Sequence, residues 1–239
     1  MHYLPILSTF ITFIFTIAVF ERYRRRRGLH LLLWGIGLSF YGMGTLTEAI
    51  LAFTFYPLAI RLWYLSGAML TAAWLGQGTV HLLVRKRNIA PALTAVIAVV
   101  SLIALILILA APITSASAGF DTSQPVSAQY KEILTSHGGV IALTILLNIY
   151  GTLTLVGGAL YSAYLFWRKR ILVQRMAGNI IIAAGALLPA MAGSFIKIGL
   201  VDMLYVSEFT GVVLMYAGFL LATVVQRAAL LEPNSASVK

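Results

Sequence analysis

Cysteine is missing from all 239 residues, which excludes disulfides, iron–sulfur clusters and thiolate metal sites. Charge is scarce too: only 10% of residues are charged, against roughly a quarter in an ordinary soluble domain. Catalytic signatures are absent as well. There is no Gly-x-Ser-x-Gly, no His-Glu-x-x-His, no phosphate loop and no paired-carboxylate motif. Gly76, Gln77 and Gly78 read as a polar residue between packing glycines, not as a nucleotide loop. His30 and His81 lie at similar depth on neighbouring spans, but nothing else supports axial haem ligation. No catalytic residue, cofactor or metal site is expected, and the sequence gives enzyme activity no support.

What is abundant is apolar surface, at 60% of residues, with a mean hydropathy of +0.93. A water-soluble core has no room for so much apolar side chain. A helix crossing a bilayer needs roughly 20 apolar residues, so seven crossings use most of the chain. Apolar runs and their breakers place the spans at 3–20, 29–53, 59–83, 91–112, 139–167, 177–199 and 203–225. The breakers are an arginine run at 22–27, Pro57, the basic triplet Arg85, Lys86 and Arg87, and Pro91, which suits a first helical turn. Leu4 to Phe20 has the reverse of a signal peptide's charge polarity and no small-residue cleavage site after it, so it is expected to stay as a helix. The expected fold is an all-α seven-helix transmembrane bundle forming one domain over 1–239. A Ser-, Thr-, Gly- and Pro-rich outer loop at 113–138 is expected to cap it, with a short tail at 226–239 and no attached signalling domain.

Orientation follows from Lys and Arg placement. One side holds fourteen: Arg22, Arg24, Arg25, Arg26, Arg27, Arg85, Lys86, Arg87, Arg168, Lys169, Arg170, Arg175, Arg227 and Lys239. The other holds Arg61, Lys131 and Lys197. The N-terminus is therefore expected outside and the C-terminus in the cytoplasm, in the plasma (inner) membrane of a prokaryote. The net charge of +10 reads as contact with anionic lipid at Arg24 to Arg27 and at Arg168, Lys169 and Arg170, not with nucleic acid. A membrane partner or a homo-oligomer remains open. Spans one to three and five to seven share a pattern in which Gly44 and Glu48 correspond to Gly193 and Lys197. That pattern suggests a 3+1+3 parallel pseudo-repeat, as in some transporters.

Steps of three and four mark helix faces. On span two they align Trp34, Leu38, Tyr41, Thr45 and Glu48. On span three they align Trp63, Gly67, Thr71, Trp74, Gly78 and His81, with Gln77 beside them. Ionisable groups inside spans cost roughly 3 kcal/mol or more at the bilayer centre. Glu48, Arg61, Lys197 and Glu208 all fall in the outer third of the bilayer. Structural pairing and a ligand or ion site both explain them. The ligand-binding reading groups Glu48, Arg61, Lys197 and Glu208 with Tyr41, Trp74 and Gln77.

Seven spans with an outer N-terminus resemble the plan of opsins and G-protein-coupled receptors, in helix count and orientation only. Val206 to Val225 contains no lysine for a retinal Schiff base, so no retinal is expected. The reading preferred is a non-enzymatic, receptor-like or accessory protein with a small polar ligand pocket near the outer surface. A small transporter for an ion or polar metabolite is the alternative, and a structural subunit of a membrane complex is a further one.

Overall fold

The computed structural model describes residues 3–84, 86–135, 138–169, 173–197 and 203–231, with 192–197 and 224–231 described by backbone alone. The chain is all-helical, with no β-strand among the described residues, and seven of its helices are long and apolar enough to cross a membrane. These are α1 (Tyr3–Arg26), α2 (Leu29–Leu51), α3 (Pro57–Leu83), α4 (Ile89–Ala110), α6 (Gly138–Arg168), α7 (Val173–Lys197) and α8 (Met203–Leu231). A short helix, α5 (Val126–Ile133), belongs to the loop between α4 and α6.

Helix ends follow local chemistry. The arginine run does not end the first helix, as expected, but lengthens it to Arg26, because arginine is a good helix former once clear of hydrocarbon. The chain then turns at Arg27, whose φ of 53° is left-handed, into Gly28. Pro57 opens α3 and Pro91 sits in the first turn of α4, where a missing N–H leaves no bond unmade. Along α1, the hydroxyls of Thr9, Thr12 and Thr16 each bond the carbonyl four residues back, which lets them sit buried in an apolar helix.

Six of the long helices close a ring in the order α1, α2, α3, α6, α7, α8, with α8 returning to α1. The tightest pair is α7 with α8. A Cβ on Gly185 would stand 2.7 Å from the Gly211 carbonyl, and one on Gly178 would stand 2.7 Å from that of Gly218. The two glycine pairs, one heptad apart on each helix, bring the backbones into contact. Gly44 and Gly67 do the same for α2 and α3: a Cβ on Gly44 would lie 2.8 Å from the Gly67 Cα.

Helix α4 stands outside the ring, in the groove between α3 and α6. It is the most apolar span, and Val96, Val99, Leu102, Ile103 and Ile106 remain exposed, as do Ile145, Leu146, Ile149 and Leu153 on α6. Such belts suit hydrocarbon and not water. A ladder of polar contacts from α3 fixes α4. Arg61 Nη2 donates to the Ala111 carbonyl at 2.8 Å, and Trp74 Nε1 to Ser101 Oγ at 3.0 Å. Gln77 Nε2 donates to the Ala90 carbonyl and to Thr94 Oγ1, while its Oε1 accepts from the Tyr150 hydroxyl of α6.

The arginine-rich turns gather at one end of the bundle, here the basic end. Arg24, Arg25, Arg26, Arg27, Arg168 and Lys169 are exposed there, whereas Arg85 and Arg170 lie outside the described residues. The loop residues 113–135 occupy the other end. They form a folded cap. Its two edges pair through the Thr114 N–H donating to the Ile133 carbonyl at 2.9 Å. Gln129 holds Asp121 by two bonds, accepting from its N–H and donating to its carbonyl. Val126, Ile133 and Leu134 are fully buried beneath.

Candidate functional site

Helix α3 is not a regular α-helix. From Trp63 to Leu70 it widens into a π-helical segment with bonds reaching five residues back, and Thr71 bonds the Ser66 carbonyl with both its N–H and its hydroxyl. Such segments are rare and tend to mark functional positions. The wider turn delays the rotation of every residue after it. Trp63, Gly67 and Thr71 therefore face the middle of the ring, whereas Trp74 and Gln77 face α4. Asn148 of α6 supports the widened turn by donating from its amide to the Ala68 carbonyl at 2.7 Å.

The middle of the ring holds a cavity of about 710 Å³. Helices α2, α3, α6, α7 and α8 form its wall, and α5 contributes Ser127, Tyr130 and Lys131 at the loop end. Lys131 is exposed at the loop end, and Ile149 and Leu153 of α6 and Ala190 of α7 are exposed where the lining reaches the flank of the bundle. Burial, with Tyr64 beside it, holds the Tyr130 phenol above its ordinary range, so it stays neutral. Trp63, Tyr64 and Tyr130 form an aromatic cluster, with ring centroids 5.5 Å apart for Trp63 and Tyr130 and 5.4 Å for Tyr64 and Tyr130.

Two acids reach the cavity from opposite sides. Glu48 on α2 is 1% exposed, and Glu208 on α8 is enclosed by the bundle yet accessible from the cavity. Their carboxyl groups lie within hydrogen-bonding reach of each other, and the Trp63 indole lies within reach of Glu48. Tyr41 fixes the approach of the two helices by donating its hydroxyl to the Glu208 carbonyl at 2.9 Å. Glu48 Oε1 and Glu208 Oε2 receive no donor among the described residues. Two carboxyl groups this close stand together only with a proton or a cation shared between them.

Below the acids, Leu75, Leu155 and Met215 line both this cavity and a second, apolar one of about 50 Å³ toward the basic end. All three are buried, and they form a layer that separates the two spaces.

No family model, curated protein or solved structure matches this chain. The chemistry of the site rests on its own residues.

Of the residues singled out in the sequence, Tyr41, Glu48 and Glu208 come together in the cavity. Arg61, Trp74 and Gln77 do not line it: Arg61 Nη2, Trp74 Nε1 and Gln77 Nε2 each donate to α4 or its flanking turn. Lys197 ends α7, and its side chain lies outside what is described; Gly193 of the suggested repeat is described by backbone alone. Trp63, Tyr130, Lys131 and Ser127 line the cavity but were not among the expected site residues. A signal for the cap existed: Val126, Tyr130 and Ile133 stand at helical spacing behind Pro125.

Proposed function

We propose that this is a non-enzymatic, receptor-like or accessory membrane protein that holds a small polar ligand beneath a folded cap. The observation carrying this reading is the cavity itself. Its volume falls within the range of small-molecule sites, roughly 300 to 1,000 Å³, and few polar groups converge in it. The bundle lies with its loop end outside and its C-terminus in the cytoplasm of a prokaryotic plasma membrane. The charge bias supports that orientation, as does the exposure of Arg24 to Arg27, Arg168 and Lys169 at one end, where they meet anionic lipid.

The test uses the absence of native thiols. Lys131→Cys places a single reactive group at the exposed loop end of the cavity, and purified protein in nanodiscs is screened against polar metabolites. The expected result is a compound that both slows labelling and raises the melting temperature; at about 100 times its Kd it adds roughly 2.7 kcal/mol. A library in which no compound does either overturns the reading.

A transporter is the second reading. Two cavities on one axis, divided by a single layer of side chains, favour it. So does the ring order: α1, α2, α3 and α6, α7, α8 follow one another in the same sense, and α4 stands aside as a linker would in a 3+1+3 repeat. Accumulation of the stabilising compound inside sealed proteoliposomes would decide for transport over reception.

A further inference from the structure

The two acids and the aromatic cluster specify the charge of the ligand, an inference that rests on the ligand-binding reading above. Glu48 is almost wholly buried, lines the cavity, and leaves Oε1 without a donor; Glu208 leaves Oε2 in the same state. Buried carboxyl oxygens that find no protein donor call for a positive group or a proton from elsewhere. The nearby cations do not supply it among the described residues. Arg61 is turned to the Ala111 carbonyl outside the cavity, and Lys131 stands exposed at the loop end.

Size and lining decide what kind of cation. A metal ion occupies a small fraction of about 710 Å³, and a divalent hard cation takes six or more oxygen ligands. No group of three or more His, Cys, Asp or Glu side chains converges among the described residues. Aromatic rings beside carboxylates instead favour an organic cation, whose positive head is drawn to the π-face while its carbon body is desolvated. Trp63 and Tyr130 are placed for that role on the same cavity wall.

We propose that the cavity binds an organic ammonium ion, its charged head against the carboxyl pair of Glu48 and Glu208 on the cavity side and its body against Trp63 and Tyr130. Lys131 at the loop end then selects against a second positive charge on the outer part of the ligand. Glu48 and Glu208 are binding residues, and Tyr41 is a positioning residue that sets the distance between α2 and α8.

The experiment measures binding of choline and tetraethylammonium to the full chain in nanodiscs, by calorimetry and by thermal shift. 3,3-Dimethylbutanol serves as the neutral counterpart of choline and acetate as the anion. The expected result is saturable binding of at least one ammonium probe and none of the neutral isostere. Glu48→Gln and Glu208→Gln each weaken it roughly ten- to a hundredfold, the loss of one charge-assisted contact. Trp63→Leu weakens it by about two- to thirtyfold. Lys197→Met leaves the affinity unchanged; a gain or loss of tenfold would show that Lys197 fills the site and would overturn the proposal. Thermal melting of each variant confirms folding, and if Glu48→Gln does not fold, Glu208→Gln and Trp63→Leu carry the test. Binding of acetate or the alcohol with no ammonium binding overturns this inference and leaves the ligand-binding reading standing. No probe binding at all, together with a failed metabolite screen, overturns both.

Discussion

The side-chain amide of Asn148 donates to the Ala68 carbonyl at 2.7 Å, from α6 into the widened segment of α3. It also donates to the Thr144 carbonyl of its own helix at 2.9 Å, so both amide hydrogens are used. Asn148→Leu removes both bonds at a position facing the cavity. The expected cost is about 0.6 to 1.7 kcal/mol, the range of interhelical hydrogen bonds in membranes. Unfolding in mixed micelles measures it, and an unchanged midpoint would show that the Ala68 carbonyl needs no partner.

Gly185 and Gly211 face each other so closely that no side chain fits between them. Gly185→Val forces α7 from α8 and should destabilise by about 1 to 3 kcal/mol. Gly157 is the control, because a Cβ there meets nothing within 4 Å. Gly157→Ala should be neutral or stabilising by up to about 1 kcal/mol. Equal melting shifts for the two variants would contradict the close approach.

Gln77 is fully buried and ties α3 to both α4 and α6. Gln77→Leu leaves the Tyr150 hydroxyl without its acceptor, at an expected cost of about 1 to 3 kcal/mol. Hydrogen exchange should rise in α4, while ligand-induced stabilisation persists because Gln77 does not line the cavity. Loss of binding without loss of α4 protection would return Gln77 to the site.

Asp121 organises the cap from the surface. Bonds from the Ser123 hydroxyl at 2.6 Å and the Ser123 N–H at 2.8 Å hold its carboxylate below the ordinary aspartate value of 3.8. The sign is that of a depressed acid: its contribution to order is complete above the ordinary value and disappears as pH falls through the lowered one. Protection of the amides at 121–124, relative to their intrinsic exchange rates, should therefore fall in acid in the native protein and be low at every pH in Asp121→Ala. A flat profile in the native protein would remove Asp121 from this role.

A reporter joined after Lys239 should read cytoplasmic and one inserted beside Ser123 external. Reversal of either would invert the bundle, because every basic turn shares one end.

The seven membrane-length helices were legible in the sequence because apolar runs, prolines and basic turns are local signals. The convergence of Glu48 and Glu208 was legible from depth, since few acids are available and both lie toward one end. Trp74 was not. Counting by threes and fours assumes one pitch along a helix, and the π segment from Trp63 to Leu70 shifts the phase of the regular turns that follow, so Trp74 leaves the face that Trp63, Gly67 and Thr71 share. The outer position of α4 was equally hidden, because its polar partners, Ser101 and Thr94, are isolated hydroxyls in an otherwise apolar span. A capping loop was expected, but its internal order was hidden because it depends on Gln129 reaching eight residues back to Asp121, a pairing with no sequence signature.

The layer of Leu75, Leu155 and Met215 has an electrical consequence. In the proposed orientation, water entering from the loop end would carry the potential of the outer solution down to Glu48 and Glu208. The membrane voltage then falls across the apolar layer and the space beneath it, where the dielectric constant is low. A cation settling against the two acids would cross little of that field, so its affinity should be almost indifferent to membrane potential. Any charge passing the leucines would meet nearly all of it, about 2.3 kcal/mol for each 100 mV. The proposed binding step and any crossing step would then fall in different electrical compartments only one side-chain layer apart.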